Sequence, residues 1–484
     1  MKFRALALSC IFMTLFSIGG CGSAGAKGVK LDPDNPTHIT VWHYYNGTQQ
    51  IAFDQLVEEF NQTEGKKRGI YVEAASQGNV NDLESSVLAA FNGEVGSDTP
   101  PDIFSSYADT AYTIEQMGML VDLDEYMTEK ELDTYVDSFI EEGRISADGK
   151  LRIFPTAKSG EVFMMSKTDW DEFSAETGAS LDALATMEGV AETAQLYYNW
   201  TDAKTPDIPN DGKAFYGRDA MANLFIIGSQ QLGVQLFKLE DGNVTLQLDK
   251  DVMRRIWDTY YVPYVKGYFS SYGRFRSDDV KIGEIIAYTG STSSTNYFPD
   301  TVETDGGTKE IDYMILPAPI FEGGKSYMVQ QGAGMVVTKS TPEREYASVV
   351  FLEWFTQTDN NLLFSCTSGY MPVKKEAFSK EKLDATIKDK GLEVSAKTYD
   401  TMISCFDMTK TSTFYTDKAF ENGAAARKVL EYNLSDKAAS DRELVLERLG
   451  SGMNLSEATQ WLIDDTAFEA WYADFYQALM DAIS

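Results

Sequence analysis

The chain has 484 residues, 43% hydrophobic and 12% aromatic, with 42 basic against 74 acidic side chains and a net charge of −32. That apolar fraction builds real cores and excludes global disorder, while the length exceeds one simple core and suits two bodies of about 150–250 residues. A surface this acidic repels phosphate backbones and anionic headgroups, which excludes nucleic acid as a partner.

Lys2 and Arg4 are the only charges before residue 27, and an apolar run follows from Ala5 to Ile18. A charged head, a short apolar core and small residues before a cut site describe a signal peptide over residues 1–20. The run is too short for a comfortable span, which needs about 20 residues. Ile18-Gly19-Gly20-Cys21 resembles the bacterial lipobox. The resemblance implies lipidation of Cys21 and attachment to the outer face of the cell membrane, with residues 21–37 as a small-residue tether. Cys10 leaves with the leader. Cys366 and Cys405 remain, as a disulfide or as two buried thiols. No C-x-x-C supports a redox or zinc motif.

From residue 38 the pattern becomes regular. Ile39-Thr40-Val41-Trp42 alternates like a strand before the turn residues Tyr44-Tyr45-Asn46-Gly47. Phe53, Leu56, Val57 and Phe60 then recur at helical spacing. Ile70–Ala74 is the next strand, Leu83, Val87, Leu88 and Phe91 the next helix face, and Asp102–Ser106 a third strand. Strands alternating with helices predict an α/β lobe with parallel strands. Leu151–Pro155 and Val162–Met165 are strand-like on either side of a polar turn, and Asp241-Gly242-Asn243 marks a hairpin. The run Ile285–Tyr288 ends in Gly290-Ser291-Thr292-Ser293-Ser294; Tyr313–Leu316 and Met335–Val337 are further strands. Ala347, Val350, Phe351 and Trp354 form a helix face, and residues 458–484, with Trp461, Phe468 and Trp471, predict one closing helix.

Catalytic chemistry is poorly provided for. With only His38 and His43, multi-histidine metal sites and most triads fail. Neither G-x-S-x-G nor a phosphate-binding loop is present. Asp122-Leu123-Asp124 and Asp464-Asp465 lack the spacing of a calcium loop and read as helix-end or surface charges. No metal or cofactor is expected. Carboxylates are plentiful, so a lipid-anchored glycoside hydrolase stays as the rival class.

The order of motifs resembles the bacterial extracellular solute-binding proteins of family 1, the receptors of ATP-binding-cassette importers of the maltose and glycerol-3-phosphate type. Thr40-Val41-Trp42-His43 is similar to the family's opening strand and Pro101-Asp102-Ile103-Phe104 to its third. Phe154-Pro155-Thr156 through Ser166-Lys167 resembles the first crossover, with Ser166 in place of an Asn. Leu316-Pro317 starts the return crossover, Gly332-Ala333-Gly334 opens the next strand, and Ser368-Gly369-Tyr370-Met371-Pro372 resembles the Thr-Gly-Tyr-x-Pro element. The resemblance implies an α/β, two-lobed periplasmic-binding-protein-like fold (type II) with a ligand cleft between the lobes. Lobe 1 would comprise residues 38–158 and 324–372, and lobe 2 residues 159–323 and 373–484. It further implies a monomeric, non-enzymatic receptor that hands a carbohydrate to importer permease subunits, by hinged closure on the solute.

A polyol needs hydrogen-bonding groups and flat apolar faces, which Tyr supplies together. Tyr44 and Tyr45 follow the first strand, Asn79 ends the second and Tyr107 follows the third, where open α/β sheets place ligands. The resemblance adds the serine-rich turn Ser291, Thr292 and Ser293, with Gln331, Gly332 and Tyr370. Lys158 and Glu161 read as a simple surface pair beside the first crossover. Arg427 lies in the stretch where phosphate-handling relatives carry an Arg, but without the neighbouring motif. A neutral sugar or oligosaccharide is therefore favoured over a phosphorylated solute.

Overall fold

The computed structural model describes residues 28–240, 243–304 and 306–484; residues 1–20, expected as a leader, Cys21 and the first two turn residues of the 241–243 hairpin lie outside them. In chain order the elements that frame the site begin with β1 (Thr37–His43), α1 (Gly47–Gln62), β2 (Ile70–Ser76), α2 (Val80–Asn92), β3 (Ile103–Ser106) and α3 (Ala108–Gln116). They continue with α4 (Asp137–Glu142), β4 (Ile153–Phe154), β5 (Glu161–Ser166), β6 (Tyr216–Arg218), α5 (Met221–Gln231), β7 (Ala287–Ser291) and β8 (Tyr313–Pro317). The last are β9 (Tyr327–Val329), β10 (Gly334–Val337), α6 (Pro342–Phe355), α7 (Thr358–Ser368), α8 (Ala396–Thr411), β11 (Thr413–Tyr415), α9 (Gly423–Gly450) and α10 (Asp465–Ile483).

Two sheets carry the two lobes. The first has the order β2-β1-β3-β10-β4, the second β8-β5-β7-β6. In the first sheet Ile39 and Val41 of β1 point into the core, and the 3–4 spacing of Phe53, Leu56, Val57 and Phe60 buries one stripe of α1 against it. The expectation of parallel strands holds for β1 with β2 and β3, but β10 and β4 join antiparallel. The second sheet is mixed, with only β6 and β7 parallel. The reason is topological: β4, β5, β8 and β10 flank the segments that cross between lobes, and crossing strands need not return through a helix as parallel neighbours do.

The second core is aromatic. Trp257 is fully buried, stacks on Tyr261 at 3.8 Å and packs beside Trp471, while Phe475 of α10 closes against Phe225 of α5. The single closing helix is corrected in one respect. Asp464 caps α10 by accepting from the Ala467 N–H, so the helix starts there, and Trp461 lies before it, 40% exposed, under the guanidinium of Arg448. Ile285 and Ile286 are buried ahead of β7 rather than within it. Cys366 and Cys405 are unpaired, buried thiols, and burial pushes both up to about 12. A satellite cluster of Leu362, Cys366, Leu383 and Phe406 packs α7 against α8.

His43, at the end of β1, is fully buried between Tyr45 and Phe53, and its Nδ1 accepts from the Tyr45 N–H at 3.2 Å. Burial lowers its pKa to about 4 from the usual value near 6.5. A depressed pKa means that the unfolded chain takes up the proton first. The neutral ring's stabilisation is therefore complete above about pH 6.5 and is lost as pH falls towards 4, by at most about 3 kcal/mol. Thermal denaturation of wild type and His43→Asn at pH 7 and 5 is expected to show a smaller acid loss in the variant. Comparing the two chains cancels buried carboxyls such as Asp219 and Glu353, raised to about 6 and about 7, whose contribution runs the other way.

Candidate functional site

Two segments pass between the sheets, residues 155–160 between β4 and β5 and residues 318–333 between β8 and β10, and the turn after α7 lies against them. They meet in a small pairing zone where Lys158 bridges Met371 and Ser159 bridges Gln331. Two glycines make the close approach possible. Gly332 has φ +94°, and a Cβ there would stand 3.1 Å from the Ala157 carbonyl oxygen. Gly369 has φ +76°, and its Cβ would stand 3.1 Å from the Cα of Ser293, so the turn before Tyr370 rests directly on the serine turn of the other lobe.

On the first-lobe side of this zone the tyrosines gather. The hydroxyls of Tyr44 and Tyr370 lie 3.2 Å apart, and the Tyr44 ring stacks loosely on Tyr107 with centroids at 6.5 Å. Burial pushes the pKa of all three phenols well up, so each stays a neutral hydroxyl that donates as well as accepts. Tyr45 packs behind them, with its ring centroid 5.2 Å from Tyr44 and 6.1 Å from Tyr370, and is 1% exposed among His43, Phe53 and Phe364. Asn79 is spent on capping α2: its Oδ1 accepts from the Asn81 and Asp82 N–H groups, and its Nδ2 donates to Asp82. It joins none of the contacts that link the other candidates.

On the second-lobe side Ser291 and Ser293 share a hydroxyl contact of 2.9 Å at the end of β7. Thr292 is fully buried and turned to the first crossover, where its N–H donates to the Gly160 carbonyl oxygen at 3.0 Å. Gln331 donates to the same oxygen at 3.3 Å and accepts from Asn223 at 3.0 Å. The structure therefore brings Tyr44, Tyr107, Tyr370, Ser291, Thr292, Ser293, Gln331 and Gly332 to one junction, packs Tyr45 behind the rings of Tyr44 and Tyr370, and leaves Asn79 at a helix start.

Lys158 and Glu161 are not the surface pair that their spacing suggests. Each is 2% exposed, and each has a different partner. Lys158 Nζ lies 2.6 Å from Glu142 of α4 and donates to the Gly332 carbonyl oxygen at 2.8 Å. Glu161 pairs with Arg218, next to it but one in the sheet, and accepts from Asn223 Nδ2 at 2.8 Å. Two buried ions of opposite sign survive desolvation only when paired and bonded in this way.

Arg427 is the residue that sequence reasoning set aside and the fold brings in. It sits on the second turn of α9, half-buried, and its Nη2 donates to Asn223 Oδ1 at 2.7 Å. Its charge acts on Tyr107 and on two carboxyls, Asp109 and Asp417. Asp109 starts α3 in the first lobe, and a Cβ on Gly423 at the start of α9 would stand 2.7 Å from its Oδ1. The lobes are thus in contact here too, with a carboxylate at the positive end of a long helix. Asp417 accepts from the Tyr415 hydroxyl at 2.8 Å, and burial raises its pKa to about 6.

A cavity of about 500 Å³ lies beside this junction, with Leu224, Ile227, Phe321 and Met328 in its walls and Glu161 and Arg218 on its polar side. Tyr44, Tyr107 and Tyr370 are not in its walls. The tyrosine–serine junction is the better candidate, because tyrosine rings of one lobe facing hydroxyls of the other suit a hydroxylated solute and an apolar wall does not. Among the described residues no group of His, Cys, Asp and Glu could hold a metal ion.

Residues 55–393 match a family described as bacterial extracellular solute-binding protein. Among solved structures the fold is similar to UgpB from Mycobacterium tuberculosis in complex with glycerophosphocholine, with a TM-score of 0.65, 16% identity, and 93% of this chain and 100% of that one covered. It is similar to the cyclic α-maltosyl-1,6-maltose binding protein from Arthrobacter globiformis (TM-score 0.62, 16% identity, 93% and 99% covered). The maltose/maltodextrin-binding domain MalE from Bdellovibrio bacteriovorus bound to maltotriose gives 0.58, 14%, 91% and 100%. At these identities the likeness is one of fold. No curated protein matches the chain.

Proposed function

We propose, for a chain that belongs to the bacterial extracellular solute-binding protein family, that it captures a carbohydrate between its lobes and delivers it to the permease of an importer. The division into lobe 1 (38–158 and 324–372) and lobe 2 (159–323 and 373–484) is part of the same proposal. One observation carries the reading: the linked tyrosines Tyr44, Tyr107 and Tyr370 of one lobe lie where the Gly369 turn rests on the Ser291–Ser293 turn of the other, beside the two crossing segments. Aromatic faces cover the C–H patches of a sugar ring, and neutral hydroxyls match its alternating donors and acceptors.

A neutral sugar or oligosaccharide is the first reading. Arg427 favours a second, a polyol phosphodiester, since a guanidinium grips phosphate well. Asp109 and Asp417 both interact with that charge and oppose an anion, which keeps the neutral solute ahead. Titration calorimetry with a panel of neutral mono- and oligosaccharides and a glycerol phosphodiester tests both readings. Saturable heat with an unaltered sugar supports capture. No binding to any member, with hydrolysis of one sugar, would put a glycoside hydrolase in its place.

We place the receptor on the outer face of the membrane through a lipid on Cys21, which lies outside the described residues. No helix among the described residues is long and apolar enough to cross a membrane. Each buried CH₂ of an acyl chain contributes about 0.8 kcal/mol, so two or more chains hold the chain firmly. Cys21→Ser is expected to move the protein from the membrane pellet to the soluble fraction on cell fractionation; an unchanged distribution would refute the anchor.

A further inference from the structure

Neighbouring residues on the crossing segments point to opposite lobes, as extended backbone requires. Gln330 turns to the first lobe, where its Nε2 donates to the Ser138 carbonyl oxygen at 3.0 Å and to Glu142. Gln331 turns to the second, towards Asn223. On the other crossover Lys158 turns to Glu142 and Glu161 to Arg218 and Asn223. Each crossover is therefore gripped from both sides, and on the second-lobe side both grips end on one residue.

Asn223 is 4% exposed, and its carboxamide is fully used: Nδ2 donates to Glu161 and Gln331, and Oδ1 accepts from Arg427. Its own position is set with unusual force. Ala220, just before α5, has φ +51°, a left-handed conformation rare for a residue with a Cβ and kept only where the surroundings impose it. What imposes it is α9, which grips the start of α5 twice with side chains one turn apart. Glu431 accepts from the Ala222 N–H at 2.9 Å, and Arg427 donates to Asn223.

We propose that Asn223 is a positioning residue of the cleft, which fixes Gln331 and Arg427 relative to the first crossover and so links solute contact to the hinge. It touches the solute only through them. The inference rests on the solute-binding reading but has a readout of its own. In the solute-free protein, Asn223→Leu keeps the shape and removes all three bonds, so hydrogen exchange over residues 156–161 and 329–334 is expected to quicken, while the sheets away from the hinge are unchanged. With a sugar that binds wild type, affinity is expected to fall about tenfold, the size of one misplaced charged hydrogen bond, mostly through faster dissociation. The solute-induced decrease in radius of gyration by X-ray scattering is expected to shrink with it. Asn223→Ala removes the same three bonds without a larger apolar side chain, so it should show the same quickened exchange and weakened binding, and it serves if the Leu variant fails to fold. Wild-type exchange at both crossovers in a folded variant overturns the proposal. If wild type binds nothing in the panel, the solute-binding reading fails instead, and exchange alone decides the role of Asn223.

Discussion

Glu161→Ala is expected to destabilise the chain by about 3–5 kcal/mol, measured by chemical denaturation at neutral pH. Removing one partner of a buried ion pair leaves the other charge desolvated, which costs that much. Here the remaining charge is Arg218, whose side chain is 4% exposed and whose Nε already has no hydrogen-bond partner among the described residues. The double replacement Glu161→Leu with Arg218→Met removes both charges at similar volume and is expected to cost far less than Glu161→Ala alone. A double variant that is as unstable as the single one would mean that the loss comes from packing and from Asn223, and that the ion pair itself matters little.

Tyr370→Ala is expected to weaken solute binding about a hundredfold, which is about 2.7 kcal/mol and typical of a central aromatic anchor. The ring is 6% exposed, stacked on Phe364 at 6.2 Å and joined to Tyr44 through the hydroxyls. Truncation therefore also leaves a cavity, and stability should fall by about 3–5 kcal/mol. Tyr370→Phe separates the two effects. It keeps the ring and its packing, so the melting temperature should stay close to wild type, while the lost hydroxyl alone should reduce affinity about fivefold. Calorimetry on both variants checks this. Wild-type affinity in Tyr370→Ala, in a chain that still folds, would falsify the assignment of the site though not of the fold.

How far these residues were legible in the sequence follows from how each signal is encoded. Tyr44 and Tyr107 were legible because a short apolar run followed by a turn marks a strand end, and strand ends face the cleft in such sheets. The Ser291–Ser293 turn and Gly369-Tyr370 were legible through the ordered family motifs. Tyr45 looked the same as Tyr44 in sequence. The structure buries both, Tyr45 more deeply at 1% exposure against 7%, and only the Tyr44 hydroxyl meets that of Tyr370, a difference set by the backbone after β1. Asn79 looked like a strand-end ligand, but an Asn before a helix caps it first, since the free N–H groups of Asn81 and Asp82 are nearer than any solute.

The sequence by itself determined the class of the molecule. Its composition demands large cores, its alternating periods demand an α/β fold, and its scarcity of histidine removes most catalytic and metal chemistry. These are local or additive properties, readable without knowing which segments meet. Only the tertiary structure decided which charges are buried and with whom. Lys158 and Glu161 are three residues apart and look like partners, yet their counterions arrive from α4 and β6. Asn223 and Arg427, some two hundred residues apart, share a 2.7 Å hydrogen bond that no periodicity encodes. A side chain's chemistry is fixed by its type, but desolvation and pairing are fixed by distances across the fold, and those exist only once the lobes have packed.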